Sequence, residues 1–120
     1  MILIVDDHRD TATALARLLS QSGHDAIAVD SAPAALSLLQ RTRPDVMVLD
    51  NHMPQMSGLD LMHAIRDDAH MRDIPVIFYS ADSNPNEVER ALQLGAKDYL
   101  VKASTPWAEV CETVERYAVA

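Results

Sequence analysis

Residues 45–58, DVMVLDNHMPQMSG, decide how the rest of the chain is arranged. The apolar run Val46–Leu49 is typical of a strand that is covered on both faces in a parallel sheet. Asp50 follows this run at once, and Pro54 and Gly58 end any extended segment. Ligands of parallel α/β sheets bind beyond the carboxyl ends of the strands, so Asp50 stands where chemistry is expected. Taken alone, an aspartate at this position can equally cap the next turn.

The composition narrows the class of protein. The chain has 120 residues, a length typical of one domain, and we expect a single domain over residues 1–120. Its 18 acidic and 10 basic residues give a net charge of −8, which repels phosphate backbones, so direct nucleic-acid binding is not expected. The apolar runs are far shorter than the ~20 residues of a membrane helix, and no basic segment precedes the first. The single cysteine, Cys111, excludes an internal disulfide, and these features together predict a cytoplasmic protein that does not enter the membrane.

Short apolar runs alternate with helical periodicity along the chain. The predicted strands are residues 2–5, 26–29, 46–49, 76–79 and 99–101. Helices are predicted over residues 11–19 and from about Pro33, Gly58, Pro85 and Pro106, the last with Thr105 as its N-cap. Leu92 and Trp107 are expected on the inner faces of the fourth and fifth helices. Right-handed crossovers give a doubly wound parallel sheet with helices on both faces, for which the strand order 2-1-3-4-5 fits best.

Polar residues follow four of these strands. Asp6 and Asp7 end strand one, Asp50 ends strand three, Ser80 ends strand four and Lys102 ends strand five. Three neighbouring carboxylates repel one another, so a positive group is expected among them. Mg²⁺ suits the site because it prefers hard oxygen ligands and leaves room for phosphate oxygens, and a carboxylate can be the nucleophile toward a phosphoryl group. A hydroxyl and an ammonium at the remaining strand ends can contact phosphoryl oxygens. The combination predicts a phosphoryl-transfer site, although each residue singly also has a structural role open to it.

These residues fall into an ordered set of motifs. The set consists of Asp6-Asp7, Asp50-x-x-Met53-Pro54-x-Met56-x-Gly58, Ser80-Ala81, Gly95-Ala96-x-Asp98-Tyr99 and Lys102. On these motifs the chain, from residue 2 to about residue 117, resembles the receiver domain of two-component response regulators. The resemblance implies a flavodoxin-like fold of five βα units. It also implies a phosphorylation-controlled signalling switch rather than an enzyme that turns over a metabolite.

The resemblance assigns a role to each site residue. Asp50 is implied as the acceptor of a phosphoryl group from a sensor histidine kinase or a histidine phosphotransfer protein. Asp6, Asp7, Asp50 and the backbone carbonyl of His52 are implied as the groups that organise Mg²⁺.

The remaining implied roles concern how phosphorylation is sensed and passed on to a partner protein. Lys102 would contact the phosphate, and Ser80 and Tyr99 would form the coupled switch pair, with Tyr99 free to move outward before phosphorylation. Partners would dock on the face of helix 4, strand 5 and helix 5, which is also a possible homodimer surface.

One position departs from the family pattern. Receivers usually have proline after the lysine, often with a cis bond, and here that residue is Ala103. A cis bond before alanine costs ~2.5–4 kcal/mol, against ~0.5–1 kcal/mol before proline. We therefore predict a trans Lys102–Ala103 peptide, with Lys102 reaching the phosphate from a shifted loop.

Three other interpretations remain open. A transition-metal site with His52, or with His8 beside the acidic pair, is not expected because no cysteine and no paired histidines lie near them. A phosphatase of the haloacid-dehalogenase type also uses Asp, Ser/Thr, Lys and Mg²⁺, but its nucleophile ends the first strand in an Asp-x-Asp motif. A pseudo-receiver that only binds partners would share the fold without being phosphorylated.

Overall fold

The apolar runs of the sequence form one parallel sheet with helices between the strands. A computed structural model describes residues 1–118, and the chain follows the predicted alternation. The elements are β1 Ile2–Val5, α1 Arg9–Gln21, β2 Ala26–Val29, α2 Ala32–Leu39, β3 Val46–Leu49, α3 Gly58–Arg66, β4 Val76–Ser80, α4 Pro85–Gln93, β5 Asp98–Val101 and α5 Trp107–Tyr117. The strand order is β2-β1-β3-β4-β5, as predicted. None of the helices within residues 1–118 has the length and apolar character needed to cross a membrane.

Side chains alternate between the two faces of the sheet. In β1, Leu3 and Val5 pack with residues of α2, α3 and α4, whereas Ile2 and Ile4 pack with residues of α1 and α5. Both faces are therefore covered, which explains why the central strands are apolar without a polar alternation. Polar groups can stand only where the strands end.

The register of the central strands brings the first and third strand ends together. Val5 of β1 lies opposite Leu49 of β3, so Asp6 and Asp50 follow from adjacent positions. The Asp50 amide donates to the Val5 carbonyl at 2.9 Å, and the Asp6 amide donates to the Val29 carbonyl at 3.1 Å. Backbone pairing thus fixes both carboxylates at the switch point of the sheet.

The start of α5 differs from the prediction by one residue. Pro106, with a ψ of 151°, is the N-cap, and its carbonyl accepts from the amides of Glu109 and Val110. Thr105 therefore lies outside the helix and does not cap it. The extended ψ of Pro106 keeps this residue out of the helical region, so the first helical position passes to Trp107.

Two apolar side chains predicted to face the core are exposed. Leu92 is 47% exposed and Trp107 is 39% exposed. In α4 the fully buried position is Ala91, and one further residue rotates the side chain by about 100° toward solvent. Trp107 lies at the first turn of α5, where its ring meets Tyr79 with centroids 5.9 Å apart.

Candidate functional site

Four strand ends contribute side chains to one edge of the sheet. Asp6 is 3% exposed, Asp50 is 2% exposed and Ser80 is fully buried. Lys102 follows β5 and extends its amine between the two buried carboxylates. The fold therefore brings together the residues that the sequence placed at the switch point.

Asp50 is the least satisfied polar group in this cluster. Its Oδ2 atom has no hydrogen-bond partner in the part of the chain that the structure describes, and Lys102 Nζ lies 3.7 Å away. Burial raises the pKa of the Asp50 carboxyl, the nearby charge of Asp6 raises it further, and the Lys102 ammonium opposes both effects. Asp50 consequently offers a buried oxygen whose lone pairs remain available.

Asp6 is held by groups on both sides. Its Oδ1 accepts from the backbone amide of His8 at 2.8 Å, and its Oδ2 accepts from Lys102 Nζ at 2.8 Å. An aspartate whose charge is already paired in this way is poorly placed to act as a nucleophile. Its position suits a metal ligand or an electrostatic partner better.

Lys102 reaches the site across a trans peptide. The Lys102–Ala103 bond is trans, as predicted, like every other peptide bond within residues 1–118. The ammonium lies 5.7 Å from the centroid of the Tyr79 ring, a distance at which a cation is attracted to the aromatic face. Proline after the lysine is therefore not required to place this amine beside Asp6 and Asp50.

The acidic cluster has the donor chemistry of a divalent metal site. One ligand atom each from Asp6, Asp7, His8 and Asp50 lies within 4.8 Å of all the others. Two of the carboxylates, Asp6 and Asp50, are buried, and Asp50 Oδ2 has no hydrogen-bond partner among the described residues. A cation would therefore offset the repulsion between the carboxylates and contact the unpaired oxygen. Hard carboxylate oxygens with an exposed side open to water fit Mg²⁺.

The two histidines near the site are arranged differently from one another. His8 Nδ1 lies 3.3 Å from Asp6 Oδ1 and 3.3 Å from Asp7 Oδ1, so the imidazole belongs to the cluster. The His52 ring instead points to Asp82, with Nε2 2.8 Å from Oδ2. Sequence reasoning named His8 only as a neighbour of Asp6 and Asp7. That adjacency was the one sequence signal for the position of the imidazole in this cluster.

Ser80 and Tyr99 are linked through the backbone of one loop residue. The Ser80 hydroxyl accepts from the Asp82 amide at 3.2 Å, and the Tyr99 hydroxyl donates to the Asp82 carbonyl at 2.7 Å. The Tyr99 ring also stacks on Phe78, with centroids 5.4 Å apart. In this structure the half-buried phenol is therefore held by the loop carbonyl and by Phe78, and its predicted outward movement stays a prediction.

Two residues shape the loop after Asp50: Asn51, which sequence reasoning passed over, and Gly58, which it predicted as a helix start. The Asn51 side chain accepts from the Leu59 amide at 3.1 Å, and the Asn51 carbonyl accepts from the Gly58 amide at 2.8 Å. A Cβ at Gly58 would meet the Asp50 carbonyl and come within 2.8 Å of the Asn51 Cα. Glycine is therefore required where α3 begins, because the helix start packs directly against the backbone of Asp50 and Asn51.

Comparison with known proteins agrees with this geometry. The chain matches the response regulator receiver domain family over residues 2–114. It is 35% identical over 106 residues to the two-component response regulator ORR3 of Oryza sativa subsp. indica, a match covering 88% of this chain and 81% of the relative. The response regulator receiver protein of Pseudomonas putida superposes with a TM-score of 0.90 at 30% identity, over 96% of this chain and 94% of that one. TrrA of Thermotoga maritima, a response regulator solved in complex with Mg²⁺ and BeF, superposes with a TM-score of 0.83 at 28% identity, over 97% and 96%.

These likenesses confirm the predicted flavodoxin-like fold and do not favour the phosphatase interpretation. The family match spans every strand and all the motifs that carried the resemblance. The chain therefore belongs to the response regulator receiver domain family, and its function is that of a phosphorylation-based switch in two-component signalling.

Proposed function

We propose that the 120 residues form one receiver domain in which Asp50 accepts the phosphoryl group. The observation that carries this proposal is the buried Asp50 Oδ2 atom, which has no hydrogen-bond partner within residues 1–118 and lies 3.7 Å from the Lys102 amine, in the same cluster as the Asp6 carboxylate. Asp6 is already engaged by Lys102 and by the His8 amide, so Asp50 is the better nucleophile.

The transfer follows from the placement of these groups. An Asp50 carboxylate oxygen forms a bond to phosphorus while the bond from phosphorus to the donor's nitrogen breaks, and the electron pair stays on that nitrogen. Lys102, 3.7 Å from Asp50 Oδ2, can move its ammonium from Asp6 to a phosphoryl oxygen. Ser80 can donate its hydroxyl proton to another phosphoryl oxygen, because the one hydrogen bond of this hydroxyl within residues 1–118 is accepted from the Asp82 amide.

Asp6, Asp7, Asp50 and the backbone carbonyl of His52 are the groups that we propose hold Mg²⁺. When bound, the ion supplies positive charge that offsets the carboxylates and the incoming phosphoryl group. Asp6 and Asp50 present buried oxygens, whereas the Asp7 side chain is 31% exposed and can turn toward an ion. Self-dephosphorylation would use water at the exposed side of the same site.

Receiver domains work with histidine kinases in two-component systems and are signalling domains rather than metabolic enzymes. For this chain we propose a sensor histidine kinase or a histidine phosphotransfer protein as the phosphoryl donor. We propose the face formed by α4, β5 and α5 as the partner or homodimer surface, since it carries the exposed Leu92 and the half-buried Tyr99.

Mass spectrometry of the intact protein tests the assignment. Incubation with acetyl phosphate and Mg²⁺ should add one phosphoryl group to the wild type, and none after chelation of the metal. Asp50→Asn should abolish the addition, whereas the control Asp30→Asn, at an exposed aspartate after β2, should retain it. Equal labelling of Asp50→Asn and wild type would overturn the assignment. Absence of labelling in the wild type would favour a pseudo-receiver.

A further inference from the structure

The Lys102 ammonium has an aromatic neighbour on the face of the sheet that α1 and α5 cover. Tyr79 lies opposite Leu100 in the register of β4 and β5, and both side chains pack on this face. The Lys102 amide donates to the Ser80 carbonyl at 2.9 Å, so the pairing of the two strands continues past the end of β5. Two residues beyond Leu100, Lys102 therefore leaves on the same face as Tyr79. Its Nζ atom lies over the Tyr79 ring, 5.7 Å from the centroid.

The Tyr79 ring is fixed by its surroundings. Tyr79 is 5% exposed, and its ring meets that of Trp107 with centroids 5.9 Å apart and planes inclined by 57°. Tilted arrangements at this distance are favourable for aromatic pairs. Burial, followed by the charge of Asp6, raises the pKa of the Tyr79 hydroxyl, so the phenol is neutral and offers the ammonium an aromatic face. The ring is thus a stationary group beside a mobile cation.

The contact with Tyr79 can persist when the ammonium moves. Lys102 Nζ lies 2.8 Å from Asp6 Oδ2 and 3.7 Å from Asp50 Oδ2. A lysine side chain is flexible, and the trans peptide to Ala103 places no proline ring after it. The hydrogen bond to Asp6 is lost when the ammonium moves to a phosphoryl oxygen, because hydrogen bonds depend steeply on distance and angle. Attraction to a ring face acts over about 6 Å, so the same ring can hold the ammonium before and after this movement.

We propose that Tyr79, braced by Trp107, is a positioning residue that keeps the Lys102 ammonium at the phosphoryl site during transfer. The inference rests on the proposed function, and it assigns no chemical step to the ring itself. With an aromatic face in place, the ammonium loses fewer conformations when it exchanges Asp6 for a phosphoryl oxygen, because it is already confined to the site. An aliphatic side chain of similar size would fill the space without attracting the cation, and transfer should then be slower.

The rate of labelling by acetyl phosphate and Mg²⁺, followed by mass spectrometry of the intact protein, tests the proposal. Tyr79→Met removes the aromatic face but keeps much of the volume, and it should slow labelling at least ~5-fold. This factor corresponds to about 1 kcal/mol, a magnitude expected of one cation–π contact. Tyr79→Phe keeps the ring and should be labelled within about twofold of the wild-type rate. The control Tyr117→Met, at the end of α5 on the same face, should also keep the wild-type rate.

Labelling of Tyr79→Met at the wild-type rate would overturn the proposal. Equal slowing of Tyr79→Met and Tyr79→Phe would also overturn it, because the hydroxyl rather than the ring would then act. Trp107→Leu removes the brace and should slow labelling by a smaller factor than Tyr79→Met does. A wild-type rate in this variant would refute the bracing role. Circular dichroism checks that each variant remains folded.

Two measurements without a phosphoryl donor test the contact by itself. Urea unfolding of Tyr79→Met, Lys102→Met and the double variant should show a coupling of at least ~5-fold in the unfolding equilibrium constant, and additive effects would refute the contact. In NMR spectra of the wild type, the ring should shift the methylene protons beside the Lys102 amine upfield from those of the exposed Lys97, the only other lysine. Equal shifts for the two lysines would refute the contact without any substitution.

The failure of the proposed function and the failure of this inference give different results. Wild-type protein that is never labelled would refute the proposed function. A labelled wild type whose rate Tyr79→Met leaves unchanged would refute the role of Tyr79 alone.

Discussion

Removing the charge of Asp50 should make the metal-free protein more stable. The wild-type carboxylate is buried, and its Oδ2 has no hydrogen-bond partner within residues 1–118. Two unit charges 4 Å apart interact by about 4 kcal/mol at an effective dielectric constant of 20. The attraction of Lys102 and the repulsion of Asp6 are of this size and opposite sign, so they largely offset one another. The cost that remains is the desolvation of the buried charge, which is the largest cause of the raised pKa of Asp50 and which the neutral amide of asparagine does not carry. An unpaired buried polar group costs about 1–3 kcal/mol, and more when it is charged.

We therefore expect Asp50→Asn to raise the free energy of unfolding by about 2 kcal/mol at neutral pH without metal. For a chain of this length, that corresponds to a melting temperature higher by about 8 °C. The control Asp25→Asn changes the net charge equally at an exposed loop position and should stay within about 0.5 kcal/mol of wild type. Urea unfolding, followed by circular dichroism, measures both variants.

The pH dependence provides an independent check. The pKa of Asp50 is raised in the folded protein, so the native state binds this proton more tightly than the unfolded state. The penalty of the charged form is present in full above the folded pKa and is lost as the pH falls toward the ordinary carboxyl value of about 3.9. The advantage of Asp50→Asn should accordingly shrink on acidification, and Mg²⁺ should narrow it at neutral pH by stabilising the wild type. An Asn variant that is less stable than wild type at pH 7, or whose advantage grows in acid, would refute this account.

Two further substitutions probe the loop and the switch. Gly58→Ala should lower the free energy of unfolding by about 1–3 kcal/mol in urea titrations, because the new Cβ would come within 2.8 Å of the Asn51 Cα; an unchanged midpoint would contradict the close packing. Ser80→Ala should still be labelled at the acceptor aspartate but lose most of the phosphorylation-dependent shift in the NMR signals of the Tyr99 ring. The exposed loop control Ser83→Ala should keep that shift, and a full shift in Ser80→Ala would show that the hydroxyl does not carry the coupling.

Periodicity and strand-end chemistry predicted the parts of the molecule that depend on local sequence. The runs at β1 and β3 are apolar on both faces, so their bounds and their position in the sheet were evident. Acidic residues follow β1 and β3 directly, and charged side chains are not expected inside a sheet that is covered on both faces. The position of the candidate site could therefore be predicted as well. The exact start of a helix, and whether an apolar side chain such as Leu92 faces the core or the solvent, depend on the rotation of the helix about its axis. A short sequence pattern predicts that rotation only to within one residue.

Long-range hydrogen bonds were out of reach of the sequence. Arg66 is the last residue of α3 and begins a polar stretch, and the sequence gives no sign of a role for it. In the structure its guanidinium donates to the carbonyls of Arg72, Ile74, Leu94 and Gly95, at 2.7, 3.1, 2.9 and 3.3 Å. One side chain thereby joins the end of α3 to the end of α4, and partial burial lowers the pKa of Arg66. Whether an arginine joins two helix ends in this way depends on which backbone carbonyls have no partner in their own helix or strand. No local sequence motif encodes that.

Asp82 connects the proposed phosphoryl site with the proposed partner surface. Its amide donates to Ser80, its carbonyl accepts from Tyr99, and its carboxylate contacts His52 beside the acceptor loop. Movement of the Ser80 hydroxyl toward a phosphoryl oxygen would remove a hydrogen bond from the loop that anchors the Tyr99 phenol. One such bond is worth about 0.5–1.5 kcal/mol net, which changes a two-state population only about 2- to 13-fold.

A complete switch requires more than this one contact. Moving an equilibrium from 1:99 to 99:1 takes about 5.5 kcal/mol of differential binding. The Ser80 contact alone falls short, so Lys102 must supply part of the difference by leaving Asp6 for the phosphoryl group. The exchange replaces the charge-assisted hydrogen bond to Asp6 with one to a phosphoryl oxygen, so its contribution is the difference in strength between these two bonds. The strength of the signal in this chain should therefore depend on Lys102 as well as on the Ser80 and Tyr99 pair.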